Sequence, residues 1–175
     1  MGVLPAIAPA LSPLGALILL APTVVIGLWV MASDLKFMRI PNQAVLAQAA
    51  VWPALGWLAL PLDLWLWGFA LMGIVLVVGF LLTVLAGVGA GDSKYAAAAA
   101  GLFAGGDLRL ILGLFTACLL AAFAAHRISR ALPAFRRAAP DWASWTHAKF
   151  PMGLALVACV LFYLVSPILA SISAQ

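Results

Sequence analysis

The chain has 175 residues, 67% of them hydrophobic and 8% charged, against roughly 45–50% apolar and about 25% charged in soluble domains. No soluble interior hides that much apolar surface, so the composition points to an integral membrane protein and excludes collagen, coiled-coil, disordered and disulfide-stapled secreted classes. The formal charge of +4 comes from nine basic residues and five acids, all aspartates; in a membrane protein such a surplus marks cytoplasmic loops rather than a nucleic-acid partner.

No Lys or Arg precedes Lys36, so the basic region of a cleaved secretory signal is missing. A first span is expected over about 14–33, closed by Asp34. The link to the next helix contains Arg39-Ile-Pro-Asn42, in which Pro41 disfavours helix at Ile40 and Asn42 suits an N-cap. A second span follows over about 43–60 and a third over about 64–86. Beyond Gly87-Val-Gly-Ala-Gly-Asp92-Ser-Lys94, a fourth span is confined to 93–105. As helix it reaches only about 20 Å, short of a core of roughly 30 Å, so Asp92 should sit below the membrane surface. A fifth span covers about 108–125 and a sixth about 150–169. Between them lies a basic loop, 127–149, whose Ile128, Leu132, Phe135, Trp142 and Trp145 suit a segment lying in the interface. No linker divides the chain. The expected fold is one all-α polytopic domain with about six transmembrane helices.

Six spans with an outside N-terminus leave eight cations inside (Lys36, Arg39, Lys94, Arg127, Arg130, Arg136, Arg137, Lys149) and only Arg109 outside. That asymmetry orients the chain by the positive-inside rule. It also puts Asp34 and Asp92 at the same cytoplasmic edge.

Acids at a membrane edge are costly and count as candidate functional groups. Each alone also reads as an ordinary helix-end residue, Asp92 as an N-cap and Asp34 as a loop acid. Together on one face, with glycines at 87, 89 and 91 leading into Asp92, they read better as a site. Glycines at alternate positions permit backbone angles closed to other residues and close approach of a second chain. Two carboxylates sharing a site of low dielectric do not both ionise easily. One then serves as general base on a water while its protonated partner polarises a carbonyl, which is peptide hydrolysis without a covalent intermediate.

Gly89-Ala-Gly91-Asp92 matches the GxGD signature of the membrane aspartic peptidases, and the extension to Lys94 resembles the type IV prepilin peptidases. Asp34 followed by Arg39-Ile-Pro41-Asn42 resembles the segment carrying that family's first aspartate, and Phe150-Pro-Met-Gly153 resembles the opening of its final helix. Length and composition are most similar to the short prepilin peptidases of tight-adherence (Flp-type) pilus systems. The resemblance implies a multi-pass protein of the bacterial inner membrane that cleaves prepilin or pseudopilin leaders at the cytoplasmic face. It implies Asp34 and Asp92 as catalytic residues, with Gly89, Gly91, Lys94, Arg39, Pro41 and Asn42 around them. Longer family members carry a cysteine tetrad and methylate the new N-terminus; the two cysteines here, Cys118 and Cys159, lie inside apolar runs and read as core. Lys94 also reads as a headgroup anchor and Arg39 as an ordinary inside-loop charge. His126 and His147 are far apart in sequence and form no ligand cluster, so no metal is expected. The seven Trp fit an aromatic belt and call for no cofactor. A small transporter or a non-enzymatic assembly scaffold are the rival readings. A transporter would carry its acids near the midplane, and a scaffold would tolerate Asp→Asn at both positions.

Overall fold

The computed structural model describes residues 11–173; the reading of the first ten residues as lacking a signal's basic region lies outside that range. The described chain is all helical, in the order α1 (Pro13–Phe37), α2 (Asn42–Ala59), α3 (Leu62–Ala86), α4 (Ala90–Ala99), a 3-10 turn (Ala100–Phe103), α5 (Leu108–Ala131), α6 (Pro133–Ala138), a second 3-10 turn (Ala143–Trp145) and α7 (Gly153–Ser173). Four helices, α1, α3, α5 and α7, are long and apolar enough to cross a membrane, and they mark the chain as a membrane protein.

Several boundaries differ from those expected, each for a local reason. The first helix runs on to Phe37 and takes Asp34 into its last turn, because nothing in Asp34-Leu-Lys-Phe opposes helix. It stops where Met38 turns left-handed at φ 52° and donates its N–H to the Asp34 carbonyl at 2.8 Å. The N-cap of α2 is Pro41, at φ −66° and ψ 138°, and Asn42 is the first helical residue, not the cap. The third helix starts two residues earlier than expected, at Leu62, and takes Asp63 into its first turn, where a carboxylate faces the positive end of the helix dipole. The fourth helix begins at Ala90, so Asp92 is its third residue and Gly89 is the cap. The fifth helix continues past 125 to Ala131 and carries Arg127 and Arg130 on helix; it ends at Leu132, the residue before Pro133, as proline demands. In the remainder of the expected loop, 127–149, the chain forms α6 and a 3-10 turn. The last helix starts three residues later than expected, at Gly153.

Helices α1 and α7 form the centre. Gly27 lets them approach until its Cα lies against Val157, and Gly153 repeats this beside Val30. By contrast α3 is apolar on every side and largely exposed, with Phe80, Val84 and Leu85 facing outward, as befits a helix whose surroundings are lipid.

The middle of the bundle is organised by Trp52. It is fully buried, and its ring lies where side chains on Gly56, Gly68 and Gly101 would otherwise stand. Its Nε1 donates to the Trp65 carbonyl at 3.1 Å, and Trp65 Nε1 donates to the Trp52 carbonyl at 3.2 Å. The two indoles thereby join α2 to α3. A second, smaller cluster of Val30, Ile40, Ala44, Tyr95 and Val157 joins α1, α2, α4 and α7 at the end that carries the two candidate aspartates.

Trp52→Ala should destabilise the bundle by about 3 kcal/mol or more, because three glycines cannot refill the space. Trp52→Phe, which loses one hydrogen bond but keeps most of the ring, should lose about 1 kcal/mol. Thermal unfolding in detergent measures both, and equal losses for the two variants would contradict this packing.

Candidate active site

Asp34 belongs to the face of α1 that also buries Gly27 and Val30, the i, i+3, i+7 stripe directed at α7. It is 4% exposed. Burial of a carboxylate calls for a hydrogen-bond partner, and the partner is main chain. The Gly153 N–H donates to Asp34 Oδ2 at 2.7 Å, across 119 residues of sequence. Gly153 is the first residue of α7, so its N–H has no partner within the helix. Asp34 thus caps a helix other than its own. Glycine is required for this approach, since a Cβ at position 153 would stand 2.9 Å from Asp34 Oδ2.

Asp92 arrives by a different route. Gly87 ends α3 at φ 69°, a left-handed turn that glycine adopts without strain. Gly89 then caps α4, and its missing side chain leaves the space that the Asp92 carboxylate occupies. Gly91 lies against Ile40, where a Cβ would come within 3.4 Å. Ser93 seats α4 against α3: Thr83 donates to the Gly79 carbonyl at 2.9 Å, and Ser93 Oγ lies 3.0 Å from Thr83 Oγ1.

The result is a single cavity of about 530 Å³ lined by both aspartates. Arg39, Asn42, Gly89, Gly91 and Lys94 also line it. Of the residues singled out in the sequence, Pro41 is the exception: it faces a separate groove beside Lys36 and Gln43. Sequence reasoning missed the contribution of the segment before α7. His147, Lys149, Phe150 and Met152 line the cavity, and Gly153 holds Asp34. The signal available was the run Phe150-Pro-Met-Gly153, noticed only as part of a resemblance.

Asp34 Oδ1 and both oxygens of Asp92 have no hydrogen-bond partner among the described residues. Neither carboxylate forms an ion pair, although Arg39, Lys94 and Lys149 line the same space; the one ion pair among the described residues joins Arg109 to Asp107 near the other end of α5. That exposed pair, with two further backbone donors, draws Asp107 down to about 2. Asp34 and Asp92 therefore have three unbonded carboxyl oxygens on one cavity, with an apolar bundle behind it.

Compared with known proteins, the chain matches no family model, no curated protein and no solved structure.

Proposed function

We propose that the chain is an aspartic endopeptidase of a bacterial inner membrane, akin to the type IV prepilin peptidases, that removes the leader of a prepilin or pseudopilin at the cytoplasmic face. The observation that carries this reading is the convergence of Asp34 and Asp92, from α1 and α4, on one cavity at the edge of an apolar bundle, with neither neutralised by a cation.

The chemistry follows from the two environments. The ionised carboxylate removes a proton from a water placed between the pair, and the oxygen attacks the scissile carbonyl. The protonated carboxyl gives its proton to the carbonyl oxygen, so no full oxyanion develops. Collapse of the tetrahedral adduct breaks the C–N bond: the proton first taken from water passes to the leaving nitrogen, and one hydroxyl of the adduct returns a proton to the carboxylate that had protonated the carbonyl oxygen. The sum is one water added across one peptide bond, with both carboxyls restored to their starting charge. The Gly153 N–H, which holds one Asp34 oxygen in place throughout, supplies the orientation such a reaction needs.

In this reading the membrane is crossed six times. Helix α2, with 18 residues, reaches about 27 Å, and α4 with its 3-10 turn completes the short fourth passage. The cavity then opens at the side where eight of the nine cations lie, a cytoplasmic location by the positive-inside rule. A prepilin fits such a site because its hydrophilic leader stays in water while the apolar helix that follows lies along the bundle in lipid.

Asp34→Asn and Asp92→Asn should each reduce prepilin cleavage by a factor on the order of a thousand or more, since a lone carboxyl cannot be base and proton donor in one step. Asp63→Asn, Asp107→Asn and Asp141→Asn, away from the cavity, should cleave within about twofold of the parent, as substitutions outside the reacting set do. Purified protein in liposomes, with leader release followed by mass spectrometry, tests this. Substantial cleavage by either folded cavity variant would end the peptidase reading and favour a scaffold.

A further inference from the structure

The basic segment after α5 builds two adjoining cavities of opposite character. The outer one, about 680 Å³, is lined by Arg136 and Arg137 with a single acid, Asp141. The inner one, about 460 Å³, lies between α1, α5 and α7 and is apolar, with Met31, Ala122, Leu154 and Phe162 among its walls. Trp142 and Trp145 line both.

The dividing wall is a stack of rings. The two indoles stack at 5.3 Å and 22°, and Trp145 stacks in turn on His126 at 5.6 Å and 15°. Trp145 Nε1 donates to the Ala139 carbonyl at 2.7 Å, closing the loop on itself. His126, which lines the apolar cavity, is 6% exposed, and its Nε2 has no hydrogen-bond partner among the described residues. Such a group calls for a partner.

A cationic chamber opening onto an apolar crevice, with one buried polar group beside the junction, has the layout of one amphiphile. Segment 127–149 carries five cations (Arg127, Arg130, Arg136, Arg137, Lys149) against Asp141 alone, so the complementary charge is negative. Tryptophans are at home where headgroups meet hydrocarbon, and basic pockets on this side of a membrane protein suit anionic headgroups. We propose that this is a binding site for one phospholipid with an anionic headgroup: the phosphate lies by Arg136 and Arg137, the ester region passes His126 and the two tryptophans, and an acyl chain fills the crevice between α5 and α7. The bound lipid would brace the segment whose far end, His147 and Lys149, lines the aspartate cavity. The site stands independently of what that cavity does.

The test is native mass spectrometry of the full chain in detergent, titrated with phosphatidylglycerol or phosphatidylcholine of identical acyl chains. One phosphatidylglycerol should be retained per chain, on the order of tenfold more tightly than phosphatidylcholine, given two contributing arginines. Arg136→Gln with Arg137→Gln, both at exposed positions that leave folding intact, should remove the preference. Trp142→Ala should weaken both lipids, and Lys36→Gln, on the same side of the protein but away from the chamber, should change neither. Equal retention of the two lipids would overturn the proposal. So would an equal loss from Lys36→Gln, the mark of a general surface potential, or displacement of the lipid by inorganic phosphate, the mark of a free-anion pocket.

Discussion

A carboxyl group buried to 4% exposure inside an apolar bundle needs a hydrogen-bond partner, and here a single backbone N–H is that partner. The bond from Gly153 to Asp34 joins the last turn of α1 to the first residue of α7, and much of the site's geometry follows from it. It fixes the distance between the two central helices at that end, which is why glycine stands at 153 and a small-residue contact repeats at Gly27 against Val157. It brings the start of α7 down onto α1, so Lys149, Phe150 and Met152, just before it, become walls of the cavity. It also uses one Asp34 oxygen and leaves the other without a hydrogen-bond partner among the described residues.

Asp92 depends on space rather than on a bond. Its carboxylate sits where a side chain on Gly89 would be, and its helix approaches Ile40 and α3 through Gly91, Gly79 and Ser93. With lipid outside, apolar residues gain little by leaving one neighbour for another, and helices associate through close packing of small residues. The glycines around Trp52 do at the middle of the bundle what Gly89 and Gly91 do at its edge. In both places a bulky or charged group is seated by the absence of side chains around it, so the site and the fold rely on the same device.

The membrane class, the long apolar helices and the pairing of Asp34 with Asp92 at one end were legible in the sequence, because hydropathy, charge asymmetry and acid scarcity are properties of residues in order. Helix ends were less so. Polar residues in Asp34-Leu-Lys-Phe read as the end of a span but do not end a helix; the stops are conformational, at Met38 and before Pro133. Asn42 looked like a cap, yet Pro41 already has the backbone angles of that position. The Gly153 contact left no trace in spacing, since a main-chain donor has no residue type and its acceptor lies 119 positions away. The chamber between α6 and the two tryptophans was visible only as an amphipathic loop, because stacking of Trp145 on His126 needs the fold to bring them together.

The central claim is that Asp34 and Asp92 act as one unit, each useless without the other. The most direct measurement is the residual cleavage rate of the double variant, Asp34→Asn with Asp92→Asn, set against each single variant in one reconstituted preparation with matched folding. Residues that share one step are not additive, so the double variant should be no slower than the slower single one, within about threefold. A double variant slower by the product of the two single losses would mean that the aspartates serve separate steps, and the shared-proton mechanism would then be wrong.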